Sequence, residues 1–414
     1  MVGNPTNPLL FCSTKLRQKS QLPKMFLQKI SLAHFKSYEH ESFGFSERVN
    51  CIVGENGTGK TNLLDAIYFL ALTKSSISNQ DALSINHEAE YMMVEGAFSM
   101  FDVRASMFGK NEASALQIGN QVSNTEHLTS KTEHLITISL QRGQKKAVLR
   151  DKKSYERISE HIGRFPVVML SPNDTDIIRD GSEERRKFFD GVMAQLDAEY
   201  LENLLQYNRL LLQRNSLLKQ FSERNYTDDL LLDVYSDPLV EVSLKLYQAR
   251  NQFITAFLPI FKKHYNTLSD AREDVEMIYE SEVGAEHFTQ IFRKNRQRDL
   301  AAQRTTMGTH KDDFIFEING FTLRKFGSQG QQKSFVIALK LAQFEMLTKV
   351  KGFPPLLLLD DIFDKLDDRR IQQLITMMVD GTFSQVFITD ARPERTRQLL
   401  DNLGVEVKYF EIGK

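Results

Sequence analysis

The sequence predicts an α/β fold with a mixed sheet, and a helical lobe inserted between the two halves of the sheet-containing lobe. The runs Val49–Val53 and Leu356–Leu359 are short and apolar, as expected of strands buried on both faces. A glycine-rich turn and then an apolar, helix-compatible segment follow the first run. Between the two runs, from about 181 to 304, leucines recur at helical spacing with charges between them. Sustained heptads are missing there, which favours a compact lobe over a long coiled coil.

The bulk composition is that of a soluble globular protein, and we expect it to work in the cytoplasm. Of 414 residues, 41% are hydrophobic and 26% charged, and the formal net charge is −1. Any nucleic-acid surface must therefore be a local basic patch. Two cysteines, Cys12 and Cys51, form no disulfide or zinc pattern. No apolar run reaches the ~18–20 residues of a membrane span, and residues 1–24 lack the apolar core of a signal peptide.

The order of expected elements divides the chain into four parts. Residues 1–24 are expected to be a disordered tail, unless translation begins at Met25. Residues 25–172 form the N-terminal half of the sheet-containing lobe, 173–305 the inserted helical lobe, and 306–414 the C-terminal half. Strands are expected at 26–32, 92–101, 103–107, 135–140, 146–149, 314–318, 321–325, 355–359, 385–389 and 405–411. Residues 35–43 are expected to be a turn into a further strand, and 166–172 a buried strand that ends in a turn. Helices are expected at 62–72, 331–350, 368–380 and 393–402.

The turn after the first apolar run matches the phosphate-binding pattern G-x-x-x-x-G-K-[ST]. Its glycines let backbone N–H groups surround a polyphosphate, which also meets the positive end of the following helix. Lys60 is expected to reach the β- and γ-phosphates, and the Thr61 hydroxyl to ligate Mg²⁺. An ordinary glycine-rich strand–helix turn is the alternative, but this spacing seldom arises by chance. The expected nucleotide-binding residues are Gly54, Glu55, Asn56, Gly57, Thr58, Gly59, Lys60 and Thr61.

Two acids follow the second apolar run. Asp360 stands at the carboxyl end of a buried strand, the edge where α/β proteins bind ligands. In a P-loop fold this acid holds Mg²⁺, and the next residue is placed to polarise the attacking water. We therefore expect Asp360 to be the metal acid and Asp361 the general base, with Lys60 as the third catalytic residue. Taken alone, the motif fits a simple turn acid equally well.

A second phosphate cradle is expected at Ser328, Gly330 and Gln331, which precede an apolar helix. One chain needs only one cradle for one triphosphate. The simplest explanation is that each protomer offers this loop to the ATP on its partner's P-loop, so that ATP is sandwiched in a dimer. A flexible Ser/Gly helix cap is the alternative.

Together these motifs resemble an ABC-type ATPase head of the SMC class, and within that class the RecF family of bacterial recombination-repair proteins. The resemblance extends over residues 25–414 and rests on six ordered blocks. These are 59–68, 185–190, 207–209 with 213–215, 308–313, 328–332 and 359–361. It implies an ATP-dependent homodimer that holds duplex DNA near single-strand gaps. It also implies RecO and RecR as partners, loading of RecA, and a role in SOS induction.

The chain departs from the family pattern at four places. Residues 75–78 read Ser-Ser-Ile-Ser instead of the usual Ser-Phe-Arg, which puts a basic contact in doubt. No glutamine stands near Ser171, and Thr389-Asp390 occupies the position of the switch histidine. Asp361 replaces the glutamate of efficient ABC ATPases and is one methylene shorter. We expect slow hydrolysis from these differences, suited to a timer rather than a motor.

Basic residues cluster in two places, and we expect them to contact DNA phosphates. The candidates are Arg185, Arg186, Arg293, Lys294, Arg296 and Arg298. A solvated helix face explains any one of them equally well, and Arg185 and Arg186 can also have a structural role. Residues 308–313 either contact nucleotide or cap a turn, and the sequence does not separate these two roles.

Two other functions share some of these motifs. An ABC transporter or small-molecule ATPase subunit has the P-loop, but the split domain, the lack of membrane contacts and the family blocks argue against it. An SMC-like head of a nuclease-associated or anti-phage system has the same motifs, usually with longer arms or an added catalytic domain.

Overall fold

A computed structural model describes residues 23–102, 130–269, 273–362, 368–400 and 406–413. The strands are β1 (Lys24–Phe35), β2 (Tyr38–Gly44), β3 (Val49–Val53), β4 (Tyr91–Asp102), β5 (Ser130–Gln141), β6 (Ala147–Arg150), β7 (Lys153–Ser154), β8 (Val167–Leu170), β9 (Val275–Glu280), β10 (Asp313–Ile318), β11 (Phe321–Thr322), β12 (Leu356–Leu359), β13 (Val386–Asp390) and β14 (Val407–Glu411). The expected strand at 103–107 and the expected tail up to residue 22 lie outside the described residues. Lys24, the last residue of that expected tail, already belongs to β1.

Eleven α-helices lie in the described parts of the chain. They are α1 (Lys60–Leu72), α2 (Asp176–Arg179), α3 (Ser182–Leu196), α4 (Ala198–Arg224), α5 (Asp229–Ser269), α6 (Phe288–Lys294), α7 (Arg296–Ala302), α8 (Leu323–Phe326), α9 (Gln329–Lys351), α10 (Asp368–Val379) and α11 (Pro393–Leu400). None of these helices is both long enough and apolar enough to cross a membrane.

A five-stranded parallel sheet forms the centre of the molecule, in the order β14-β3-β13-β12-β8. Every residue of β3, β8, β12 and β13 is buried, which explains their uninterrupted apolar character. The sheet therefore brings strands from distant parts of the chain side by side. Because the strands are parallel, the segments after β3, β12 and β13 all leave from the same edge.

A second, antiparallel sheet has six strands in the order β2-β1-β4-β5-β6-β7. Helix α1 contacts strands of both sheets. Its side chains Leu63, Leu64, Ile67 and Leu70 are fully buried in a core shared with residues of β3, β4 and β12. The apolar face of the helix after the glycine-rich turn thus joins the two sheets.

The long helices α4 and α5 pack against each other, and α5 also packs against α9. The expectation of helix throughout 181–304 was wrong at one point, because β9 lies there and pairs with β10. Its burial alternates only over Val275 and Met277, too short a signal among helical neighbours. The expected strand at 321–325 is also shorter, since β11 ends at Thr322 and the helix-forming residues after it make α8.

Candidate nucleotide-binding site

The glycine-rich turn lies between β3 and α1, at the edge of the parallel sheet. Gly59 precedes α1 with φ of 104°, a left-handed conformation that favours glycine. A Cβ atom on Gly59 would lie 2.8 Å from the Ser37 hydroxyl oxygen. The Tyr38 hydroxyl donates a hydrogen bond to the Gly59 carbonyl, at 3.0 Å. The start of β2 therefore braces the turn, and only glycine fits at position 59.

Lys60 is the first residue of α1, and only 5% of it is exposed. Its ammonium donates hydrogen bonds to the carbonyls of Gly54, at 2.9 Å, and Glu55, at 2.8 Å. The Thr58 hydroxyl donates to the same Glu55 carbonyl, at 2.9 Å. The turn is thus curled around the lysine, with the N-terminus of α1 beneath it. A positive charge held inside such a turn is suited to phosphate oxygens.

The Thr61 hydroxyl and the Asp360 carboxylate meet across the edge of the sheet. Thr61 Oγ1 donates to Asp360 Oδ1 at 2.9 Å, although the two residues are 299 positions apart. Asp360 is 7% exposed, and its backbone N–H donates to the Leu170 carbonyl of β8. The two predicted metal ligands are therefore in direct contact. Two oxygen donors suit Mg²⁺, which binds few protein groups and completes its shell with water and phosphate.

The described residues contain no group of three or more histidine, cysteine or acidic side chains that could hold a metal. A transition-metal centre built from such residues is therefore not present in these parts of the chain. Only an ion that takes most of its ligands from the nucleotide and solvent fits the Thr61–Asp360 pair.

Thr389, at the end of β13, connects the two acids of the site. Its hydroxyl donates to Asp360 Oδ1 at 2.7 Å and accepts the backbone N–H of Asp361 at 3.0 Å. Asp361 has φ of 45°, an uncommon conformation for a residue other than glycine. From the sequence, Thr389 was expected only to stand in the position of a histidine, and its hydrogen bonds to both acids were not predicted. A hydroxyl at the carboxyl end of a buried strand was the available signal.

Ser328 caps α9 in a capping box. Its hydroxyl accepts the Gln331 N–H at 3.2 Å, and the Gln331 side-chain oxygen accepts the Ser328 N–H at 2.7 Å. The Gln331 amide also donates to Glu273, and Arg370 donates to the Gly330 carbonyl. Within the described residues, no hydrogen bond joins this loop to the turn at 54–61. The structure therefore does not unite the two predicted cradles in one chain.

The six predicted DNA contacts differ in their surroundings. Arg185 is buried and forms two hydrogen bonds with Asp313, at 2.7 and 2.9 Å. Arg186 donates to the Asp312 carbonyl, so both residues fit the structural role that competed with DNA binding. Arg293 pairs with Asp237, and Arg296 with Asp229 and Asp233. Lys294 and Arg298 are exposed on the same short stretch.

The turn at 308–313 is bound internally, which favours the capping role. His310 Nδ1 accepts from the Tyr207 hydroxyl, and His310 Nε2 donates to the Thr305 carbonyl at 3.1 Å. Burial lowers the pKa of His310 to about 4, so the ring is neutral at pH 7. Asp312 accepts from Arg250 at 2.7 Å. These contacts tie the turn to the long helices α4 and α5.

The unusual serines after α1 bind one of its acids. Ser75 Oγ donates to Asp65 Oδ2 at 2.8 Å, and Ser76 donates to Asp65 Oδ1. Lys36 forms an ion pair with the same fully buried carboxylate at 2.6 Å. In this chain the positive charge that pairs with Asp65 thus comes from Lys36 of the β1–β2 turn, and residues 75–78 contribute hydroxyl groups.

The chain matches a family profile described as "RecF/RecN/SMC N terminal domain" over residues 26–410. The DNA replication and repair protein RecF of Flavobacterium johnsoniae is 40% identical over 388 residues, covering 94% of this chain and 100% of the relative. The protein of the same name from Cytophaga hutchinsonii is 42% identical over 390 residues, covering 94% of this chain and 96% of the relative.

Solved structures give the same result. The recombination mediator protein RecF-ATPrS of the RecFOR pathway has a TM-score of 0.78 and 28% identity, covering 95% of this chain and 97% of its own. The RecF-ATP structure has a TM-score of 0.76 and 26% identity, covering 94% and 98%. An Smc head domain from Pyrococcus furiosus, at 17% identity, a TM-score of 0.50 and 94% coverage of each chain, supports the fold alone. The expected α/β head of the ABC/SMC type is thereby confirmed, and the chain belongs to the RecF family.

Proposed function

We propose that the chain is an ATP-dependent DNA-binding protein of replication and recombinational repair, with only weak ATPase activity that DNA stimulates. ATP would bind the turn at 54–61, with Lys60 on its phosphates. The contact between Thr61 and Asp360 is the observation that carries the proposal, because it places a hydroxyl and a carboxylate beside this turn. When bound, Mg²⁺ would be held by these two residues and would neutralise charge on the phosphates.

Within this site, Asp361 is proposed as the residue that orients and deprotonates the attacking water. The hydrogen bond from its backbone N–H to Thr389 and its unusual φ hold it beside Asp360. Its side chain is one methylene shorter than glutamate, so its reach to a water on the γ-phosphate is reduced. Slow turnover follows, and ATP would then stay bound long enough to time a step on DNA.

The second cradle is proposed to act in trans. Ser328, Gly330 and Gln331 would complete the ATP site of a second copy, which makes the chain an ATP-dependent homodimer. Two observations support this: Ser328 is exposed at the N-terminus of a 23-residue helix, and none of its hydrogen bonds go to its own P-loop. In this scheme the lobe formed by 25–172 and 306–414 closes on ATP, and the helical part at 173–305 is a separate insertion.

DNA is the proposed partner of the closed dimer, in duplex form beside single-strand gaps. The names of the relatives support a role in replication and repair, and those of the solved structures a place in the RecFOR pathway. RecO, RecR and RecA are the corresponding partners, with SOS induction downstream in the cytoplasm. Lys294 and Arg298, which are exposed, are better placed than Arg185 for phosphate contacts.

The test is the affinity for gapped DNA with and without ATP, measured over a range of salt concentrations. We expect binding to require ATP and to weaken steeply with salt, because phosphate contacts release counterions. Lys60→Ala should abolish both ATP binding and ATP-dependent DNA binding, while Lys219→Ala, on the exposed surface of α4, should change neither. An affinity for gapped DNA that depends on neither ATP nor salt would contradict the proposal and favour one of the two other ATPase classes.

A further inference from the structure

Two surfaces, one at each predicted phosphate cradle, carry charges of opposite sign that form no ion pair among the described residues. The first, called here the signature face, consists of Phe321, Arg324, Lys325 and Phe326. The second, called here the P-loop face, consists of Glu39, Glu41 and Glu55. We propose that in the dimer the signature face of one copy docks on the P-loop face of a second copy. This inference rests on the proposed ATP-dependent homodimer and adds the residues that select and align its partner.

The signature face displays an aromatic pair in solvent. Phe321 is 59% exposed and Phe326 is 67% exposed. Their rings touch edge to face, with centroids 5.6 Å apart. Exposed phenylalanines in contact with each other but outside a core are typical of a surface that another molecule covers. Aromatic anchors of this kind supply much of the energy of protein interfaces.

Two exposed cations lie between these rings in the sequence. Arg324 and Lys325 belong to α8, and within the described residues neither has a hydrogen bond or an ion pair. The segment is nevertheless fixed, because Leu323 is fully buried and its carbonyl accepts the Gly327 N–H at 2.9 Å. Ser328 follows directly. Whatever meets the N-terminus of α9 must therefore also meet this basic, aromatic surface.

The P-loop face is acidic. Glu39 and Glu41 are exposed on β2, and since they are two residues apart they point to the same side of the strand. β2 is an edge strand of the antiparallel sheet. Glu55 is exposed in the phosphate-binding turn itself. In the described parts of the chain, none of the three carboxylates forms an ion pair.

Hydrogen bonds attach this acidic strand to the nucleotide site. The Tyr38 hydroxyl donates to the Gly59 carbonyl, and the Asn62 amide donates to the Ser37 hydroxyl at 2.8 Å. A copy whose α9 approaches the P-loop would thus bring Arg324 and Lys325 toward Glu39 and Glu41. In a two-fold dimer this pairing occurs twice, once at each ATP site. Charge complementarity of this kind mainly sets partner choice and register.

The test uses charge reversal at both faces. One variant carries Arg324→Glu and Lys325→Glu, and the other carries Glu39→Lys and Glu41→Lys. Every one of these side chains is exposed, so the variants should fold. Each variant alone places like charges opposite each other at both contacts. We expect its ATP-dependent dimerisation to weaken at least about tenfold in low salt. The control is Lys219→Glu with Arg224→Glu, two exposed cations of α4.

The decisive measurement mixes the two variants, with a different fluorophore on each, in ATP and Mg²⁺. In a heterodimer one contact has both signs reversed and the other is wild type, so both are complementary again. We expect the mixture to form heterodimers with near wild-type affinity and few homodimers. The advantage of heterodimers over homodimers should become smaller at high salt, where exposed charges are screened. A mixture that dimerises no better than either variant alone would overturn the inference.

The two proposals fail in different ways. If the wild-type chain binds ATP but stays monomeric, the proposed dimer itself is wrong. If the wild type dimerises with ATP and both charge-reversed variants do so equally well, only the docking of the two faces is wrong. The acids of β2 would then serve the common purpose of keeping an edge strand from pairing with other chains.

Discussion

At the scale of single residues, the Thr389 hydroxyl organises the acids of the candidate site. It is buried, donates to Asp360 and accepts from the backbone of Asp361. Asp360 Oδ1 receives hydrogen bonds from both Thr389 and Thr61, so its orientation is fixed by strand β13 and by helix α1. Thr389 is a positioning residue in this arrangement, because it acts on the reaction through the acids it holds.

Replacing Thr389 with valine keeps the shape of the side chain and removes the hydroxyl. The half-buried Asp361 N–H then loses its acceptor, which costs about 1 kcal/mol, and one of the contacts that hold Asp361 in its unusual conformation is gone. We expect the single-turnover rate of ATP hydrolysis to fall by roughly tenfold to a hundredfold, with ATP affinity almost unchanged. Thr389→Ser, which retains the hydroxyl, should recover most of the rate. Equal rates for Thr389→Val and wild type would refute the positioning role.

At the scale of elements, the N-terminus of α9 combines stability and recognition in one serine. Ser328 closes a capping box with Gln331, and the first turn of the helix remains accessible. The helix behind it is almost wholly buried, from Gln332 to Leu347, so this end is held rigidly. A rigid, exposed helix N-terminus is a suitable surface for phosphate oxygens.

Substituting Ser328 tests these two roles separately. Ser328→Arg inserts bulk and charge, and should block ATP-dependent dimerisation while monomers still bind ATP. It also removes the cap, which costs about 1 kcal/mol of stability. Ser328→Asn is the matched control, because asparagine caps helices as well as serine does. We expect this variant to retain wild-type stability. Sizing by light scattering in ATP reports the result, and a dimeric Ser328→Arg would show that the sandwich is wrong.

Some of these elements could be predicted from the sequence, and others could not. The turn at 54–61 was predictable because its spacing is dictated by phosphate chemistry, and α9 because its apolar period is long. The strand β9 was missed since it offers only six residues among helices. Thr389 was underestimated because its importance depends on the pairing of β13 with β12, a contact between remote segments. Local patterns therefore predicted elements well, whereas bridges between elements needed the structure.

At the scale of the whole molecule, two buried histidines connect segments that are far apart in the sequence. His161 is fully buried, and its Nε2 donates to the Leu70 carbonyl of α1 at 2.7 Å. Burial lowers the pKa of His161 to about 4, and that of His310 to about 4 as well. Both rings stay neutral in the folded protein at pH values where an exposed histidine would take up a proton.

This difference makes the fold sensitive to mild acid. Between pH 6.5 and 4 the unfolded chain binds more protons than the folded one, so the free energy of unfolding falls as the pH falls. From pH 7 to 5 we expect each of the two histidines to remove roughly 2 kcal/mol. His161→Gln should reduce this pH dependence in urea unfolding, and His87→Gln, at an exposed position, controls for the substitution itself. A slope unaltered by His161→Gln would contradict the assignment.

Besides its packing against α9, the longest helix is tied to the C-terminal half by a buried arginine. Arg250 of α5 is 2% exposed and contacts Asp312 at 2.7 Å, Asp190 of α3 at 2.9 Å and the Thr309 carbonyl at 2.9 Å. Its guanidinium also donates to the Tyr200 hydroxyl of α4. Three helices and the 308–313 turn thus share one cation. Burial raises the pKa of Asp312, so this carboxylate depends on Arg250 for its charge.

Arg250→Met should therefore destabilise the entire molecule, not only α5. Removing one member of a buried ion cluster typically costs about 3–5 kcal/mol, because the remaining acids are left unpaired. We expect a large drop in the midpoint of urea unfolding at pH 8 and a smaller one at pH 5.5, where Asp312 can bind a proton instead. Lys245→Met, on the exposed side of the same helix, should change little. Adding Asp312→Asn to Arg250→Met should recover part of the loss. If Arg250→Met and Lys245→Met unfolded alike at both pH values, the cluster around Arg250 would not contribute to holding the long helices to the C-terminal half.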